Sequence, residues 1–234
     1  MVDFHTHILP KMDDGSDSAE ESAAMLKQLA AQGVDTVALT SHFYARDEAP
    51  DSFLERREKA LERLQPVLTE DGMPRVLSGA EVYYFRGFSR IGQLPDLRME
   101  GSRILLLEMP FCTWGEKELG EIIDLCGDPS FVVLRAHVER YWKYQKASVW
   151  DRLLSAGVMT QSNAECFLYP RTRRKAARLV QNGYIHVLGT DCHNMGARQP
   201  RMGEAVAVLE RQLGSETTRR FTARGEEYLE EWRV

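Results

Sequence analysis

An α/β fold, a distorted (β/α)7 TIM-like barrel spanning residues 1–234, is predicted from three observations. Short apolar runs alternate with longer segments of helical periodicity, turn residues punctuate each change, and the strand-like runs repeatedly end on imidazole or carboxylate residues. The run from Val2 to His5 predicts a first strand near 2–5, and the spacing of apolar residues near 17–32 predicts a helix after it. Further strands are expected near 34–40, 75–84, 103–109, 131–137, 157–162 and 185–190, with helices near 51–69, 116–126, 145–156 and 165–182 between them. Helical segments near 201–213 and 216–231 complete the chain. Gly33, Gly72, Gly127, Gly157 and Gly183 follow helical runs, where a left-handed C-cap is often needed. Neither an internal repeat nor a Gly/Ser/Pro-rich linker interrupts the pattern, so a single domain is the economical reading.

Composition narrows the setting. A hydrophobic fraction of 43% with 28% charged residues is that of a chain able to bury a core. The net charge of -5 offers no global basic excess for nucleic-acid binding. Cys112, Cys126, Cys166 and Cys192 lack the close paired spacing of a zinc knuckle or disulfide scaffold, which points to a reducing cytoplasm. No apolar run is long enough to cross a membrane, and the first residues have no signal-peptide pattern. The basic stretch Arg171 to Lys175 reads as a solvated helix face.

The chemistry sits at the strand ends. His5 and His7 are two apart on a strand, so their side chains share a face and can meet one metal. Asp13-Asp14-Gly15-Ser16 precedes the first helix, where the carboxylates either bind a cation or Asp14 and Ser16 cap that helix. His42 follows the second strand, Glu81 lies in the third, Glu108 ends the fourth and His137 the fifth, and Asp191 and His193 end the last. In an α/β barrel the strand C-termini converge on one face. Packed carboxylates repel one another and take up protons, whereas divalent cations favour the deprotonated set. Five histidines and four carboxylates exceed the roughly three protein ligands of a catalytic zinc-type site, so two or three cations fit. Mixed imidazole and carboxylate donors accommodate manganese, iron or zinc.

These segments resemble the polymerase and histidinol phosphatase (PHP) superfamily. The likeness rests on His5-x-His7, Leu9-Pro10 with Asp13-Asp14-Gly15-Ser16, Glu81, Glu108-Met109-Pro110, the run His137 to Tyr141, and Asp191-Cys192-His193-Asn194. Within the superfamily the chain is most similar to the bacterial capsule-biosynthesis protein-tyrosine phosphatases, which depend on manganese. The resemblance implies one metal held by His5, His7, Glu81 and Asp191. It implies a second held by Glu81, Glu108 and His137, and a third held by Asp14, His42 and His193. It also implies that Arg140 and Arg198 grip the phosphate, and that the substrate is a phosphotyrosine protein, a bacterial tyrosine autokinase of capsule or exopolysaccharide synthesis. Val138, the run Thr40 to Tyr44 and Cys192 depart from the family pattern without removing a ligand, and bear on substrate preference.

The expected reaction is direct attack on phosphorus by hydroxide generated at the metals, with no covalent enzyme intermediate. Arg140 and Arg198 can offer forked hydrogen bonds to phosphoryl oxygens, the bland alternative for each being a surface ion pair. One rival keeps the metals and changes the substrate to histidinol phosphate, a sugar phosphate or a nucleic-acid end. Another is a non-catalytic phosphate-binding module. A third is cysteine chemistry, because Cys192 and Arg198 fit a Cys-x5-Arg pattern. That pattern lacks a hydroxyl residue after the arginine, where Gln199 stands, and Asp191 opposes a depressed thiol pKa.

Overall fold

The computed structural model describes residues 1–234. Its strands are β1 (Val2–Thr6), β2 (Thr36–Leu39), β3 (His42–Phe43), β4 (Arg75–Ser78), β5 (Glu81–Tyr83), β6 (Ile104–Glu108), β7 (Val132–Arg135), β8 (Met159–Asn163) and β9 (Val187–Gly189). The helices are α1 (Ala19–Ala31), α2 (Pro50–Leu68), α3 (Glu116–Cys126), α4 (Ala147–Ser155), α5 (Glu165–Leu168), α6 (Arg173–Gln181), α7 (Met202–Leu213) and α8 (Ser215–Glu231). Every strand pairing is parallel, in the orders β1-β2-β4 and β3-β5-β6-β7-β8-β9. A bridge between Thr6 and Cys192, with the Asp191 N–H donating to His5 O at 2.7 Å, brings the last strand back beside the first.

Seven staves were expected, and two of them are broken. The expected strand near 34–40 stops at Leu39 and resumes as β3, and the one near 75–84 divides into β4 and β5 around Gly79 and Ala80. At this break the Gly79 N–H donates to Leu39 O at 3.0 Å, while the Glu81 N–H is shared between Thr40 O and Ser41 O. Pairing therefore continues across the gap, but β5 shifts to meet β6 and leaves β4 on the other side. The helix expected near 165–182 is likewise two. Tyr169, forced towards an extended backbone by Pro170, ends α5, and the chain re-enters a helix only at Arg173. Of the five glycines expected as left-handed caps, Gly33, Gly72, Gly157 and Gly183 are at positive φ. Gly127, at φ -75, is not, and it continues the right-handed turn of α3.

Side chains alternate along the strands as a barrel requires. Leu105 and Leu107 of β6 pack outward with Leu119 and Ile122 of α3. Ile104 and Leu106 point inward with Phe4, Ala38, Leu134, Met159 and Val187, and Leu229 of α8 closes this floor. Below the functional end the interior is thus filled with hydrocarbon. Above it, buried side chains are polar.

Two backbone features shape that upper end. A bulge in β1 between Asp3 and Thr6 shifts its register against β2. His137 (φ 30) and Asp191 (φ 54) occupy the left-handed region although neither is glycine. Arg135 and His137 would share a face on a regular strand. The left-handed turn instead sends the imidazole to the barrel mouth while the Arg135 guanidinium lies outside, over the Trp114 ring at 4.2 Å. Close approach fixes two glycines. A β-carbon on Gly189 would lie 2.5 Å from His5 Cβ, and one on Gly15 would lie 2.1 Å from His7 O.

Candidate metal centre

His5 and His7 sit at the end of β1 with their Nε2 atoms 3.1 Å apart. Glu81, at the start of β5, is the hub: Oε2 is 3.1 Å from His5 Nε2, 3.4 Å from His7 Nε2 and 2.9 Å from His42 Nδ1, and Oε1 is 3.0 Å from His137 Nε2. Glu108, ending β6, reaches His137 Nε2 at 3.3 Å. Asp191 Oδ1 lies 3.4 Å from His7 Nε2 and 3.8 Å from His5 Nε2. Asp14 Oδ1 approaches His193 Nε2 at 3.3 Å and His42 Nε2 at 3.6 Å. The structure therefore brings all nine predicted residues to one end of the barrel.

Their grouping into compact clusters differs in detail from the partition that the resemblance implies. Ligand atoms close enough to share one ion occur in His5, His7 and Glu81, in His42, Glu81 and Glu108, and in His7, Asp14, His42 and His193. His42 thus faces two clusters. Eight of the nine are buried or nearly so, whereas the Asp14 side chain is 65% exposed and forms the outer rim. Arg140 and Arg198 also converge here, and both bind Asp191. Arg140 Nη2 contacts Oδ2, and Arg198 Nη2 contacts Oδ1 at 2.9 Å.

The donor set can be tested for its fit to cations. Glu81 Oε2, His42 Nδ1 and His193 Nε2 are buried without a hydrogen-bond partner. Unsatisfied buried groups of this kind cost about 1–3 kcal/mol each, and a cation at this convergence would satisfy them. Imidazole nitrogen and carboxylate oxygen are the donors that divalent transition cations take, and the residues fit that group.

Burial acts to lower the His137 pKa, but Glu108 and Glu81 raise it to about 9. Burial also opposes the charged form of His7, and Asp13 more than offsets it, holding His7 well above the usual imidazole value. For Glu81 burial raises the pKa, and the surrounding imidazoles, His5 first, pull it well below the carboxylate range. His193 goes the other way, down to about 4, through burial and the neighbouring His7 charge.

Asp13, Gln161 and Asn163 support the site without being among the nine predicted ligands. Asp13 Oδ2 accepts from the His42 backbone N–H at 2.8 Å and meets His7 Nδ1 at 2.7 Å, so it orients the His7 ring and anchors the His42 backbone where Asp14 reaches outward. Gln161 Oε1 accepts from the His137 N–H at 2.8 Å and lies 3.2 Å from His5 Nδ1. Asn163 Nδ2 donates to Asp191 Oδ2 at 2.7 Å. Both amides lie in β8, whose polar run from Thr160 to Asn163 is wholly buried.

A family model described as "Capsular polysaccharide synthesis, CpsB/CapC" matches residues 1–229. The chain belongs to the CpsB/CapC family. Among relatives, the tyrosine-protein phosphatase CpsB of Streptococcus pneumoniae is 28% identical, with 92% of each chain covered. The tyrosine-protein phosphatase YwqE of Bacillus subtilis (strain 168) is 27% identical over 97% of this chain and 90% of that one. A crystal structure from work on YwqE of Bacillus subtilis and CpsB of Streptococcus pneumoniae, described as unique metal-dependent tyrosine phosphatases, matches with a TM-score of 0.82 at 26% identity. It covers 100% of this chain and 96% of that one. D-hydantoinase from Thermus sp. matches at TM-score 0.52 and 13% identity, over 95% of this chain and 68% of that one, and shows the barrel fold alone.

Against this CpsB/CapC background the cysteine rival fails on geometry. Cys192 is 1% exposed and lies in the bridge to Thr6, and burial together with Asp3 pushes its thiol well above the ordinary value. A nucleophile needs the opposite shift and an open face. No helix is long and apolar enough to cross a membrane.

Proposed function

We propose that this chain is a metal-dependent protein-tyrosine phosphatase. Its metals would be two or three divalent cations, manganese favoured over iron or zinc, held by His5, His7, Asp14, His42, Glu81, Glu108, His137, Asp191 and His193. The favoured substrate is phosphotyrosine in a bacterial tyrosine autokinase of capsule or exopolysaccharide synthesis, met in the cytoplasm. One observation carries the reading: buried, unpartnered imidazole and carboxylate atoms converge beside two arginines in a CpsB/CapC chain.

Bound cations would supply Lewis acidity and lower the pKa of water towards neutrality. The chain's own residues do the rest. Glu81 joins two of the three clusters because both its oxygens face imidazoles. Asp13 holds the His7 ring and the His42 backbone, and Gln161 the His5 ring and the His137 backbone, before substrate arrives. Arg140 and Arg198 are about two-fifths exposed at the mouth, so their forks can donate to phosphoryl oxygens while Asp191 holds them in place. A tyrosyl leaving group, with a phenol pKa of about 10, needs less general-acid help than an alkyl alcohol does.

Comparative turnover tests the reading. With manganese present, a phosphotyrosine peptide is expected to be hydrolysed faster than histidinol phosphate, and Cys192→Ala is expected to retain that activity. A preference for histidinol phosphate would overturn the substrate assignment, and loss of turnover in a folded Cys192→Ala protein would overturn the mechanism.

A further inference from the structure

Phe111 is 45% exposed, an unusual place for a phenyl ring one residue beyond Glu108-Met109-Pro110. Its back is packed. The ring stacks on Tyr141 at 5.3 Å and 21°, and Tyr141 stacks in turn on His137 at 5.6 Å and 22°. Phe111 itself lies 6.0 Å from the His137 ring, so its open edge borders the metal-ligand cluster. A cleft of about 560 Å³ opens there, lined by Phe111, Glu139, Arg140, Trp142, Lys143 and Tyr144. One wall thus offers an aromatic ring and the opposite wall an arginine directed at Asp191.

Both walls are latched. The Tyr141 hydroxyl donates to Met109 O at 2.7 Å and accepts from the Met109 N–H at 3.1 Å. Gln145 Nε2 donates to Cys112 O at 2.7 Å, Thr113 Oγ1 to Tyr144 O at 3.1 Å, and Trp114 Nε1 to Pro110 O at 3.0 Å. Beneath them Arg135, 0% exposed and without a hydrogen-bond partner on its guanidinium, lies between Trp114 at 4.2 Å and Tyr141 at 4.6 Å. A loop tied down by this many contacts loses little entropy on binding, so the exposed ring is pre-organised for a ligand.

We propose that the cleft between Phe111 and Arg140 is a ring-binding subsite, with Phe111 a specificity-determining residue that favours aryl over alkyl phosphates. The inference rests on the phosphatase reading. A phosphoryl group held at Arg140 places its ester substituent in the cleft, where a planar ring can stack on Phe111 and an alkyl chain gains less.

Calorimetric titration of the manganese-loaded protein separates the two claims. Inorganic phosphate reports the phosphoryl site alone, and phenylphosphonate against methylphosphonate reports the ring. Wild type is expected to prefer phenylphosphonate by about two- to ten-fold, the range of one aromatic contact. Phe111→Ala is expected to erase that preference with phosphate affinity and metal content unchanged, and Phe111→Tyr to restore it. An unaltered preference in Phe111→Ala, or equal weakening of all three ligands, would overturn the subsite while leaving the phosphatase reading intact. Absence of phosphate binding to wild type would overturn both.

Discussion

Glu81→Gln is expected to abolish turnover, by about a thousand-fold or more, which corresponds to roughly 4 kcal/mol of transition-state stabilisation. Glu81 is 1% exposed and its two oxygens face His5, His7, His42 and His137. The amide is nearly isosteric, so the fold survives, but it removes the one negative charge shared by two of the three clusters. Its NH2 also directs donors at imidazoles that must present lone pairs to a cation. Mass spectrometric metal analysis beside circular dichroism checks the result: the variant should be folded and depleted of metal. A folded Glu81→Gln protein with full metal content and near-wild-type turnover would show that Glu81 is not the hub.

The second large effect is at the arginines. Arg140→Ala is expected to lower kcat/KM by about a hundred- to a thousand-fold, the scale on which single donors to a developing oxyanion act. Arg140→Lys should recover only part, because an ammonium cannot reproduce a planar two-pronged contact. Arg198→Ala should behave alike but more mildly. Its guanidinium divides itself between Asp191 Oδ1 at 2.9 Å and Asp14 Oδ2 at 3.6 Å, whereas Arg140 is committed to Asp191. Metal content should not change in any of the three, since neither arginine donates a lone pair. Loss of metal in Arg140→Ala would make this residue a support for Asp191 and not a phosphate ligand.

The parts of this site that could be read from the chain share a physical cause. His5, His7, Glu108 and His137 stand at or beside the ends of apolar runs, where hydrophobic periodicity marks the strand and barrel geometry marks the end. The breaks in two staves were not legible because β2–β3 and β4–β5 are each close to continuous in composition. What divides them is a shift in pairing partner, which one strand's sequence does not record. Asp13 and Asp14 are adjacent carboxylates with opposite fates. Asp13 is buried against His7 and Asp14 stays outside, a choice made by the turn between β1 and α1, where Gly15 passes against the His7 carbonyl. Gln161 and Asn163 escaped because amides are ordinary in strands and become informative only when burial is known. The Phe111 ring was hidden for the converse reason, since its exposure, not its identity, singles it out.

Imidazoles and carboxylates ligate cations only in their deprotonated forms, and activity is expected to follow the cations they hold. Titration of chelator-stripped protein with manganese, with bound metal and phosphotyrosine-peptide hydrolysis read on the same samples, tests this directly. Hydrolysis is expected to be absent in the stripped protein and to climb with occupancy to a plateau at two or three cations per chain, as the three clusters allow. Undiminished hydrolysis by protein shown to carry no metal would contradict the account.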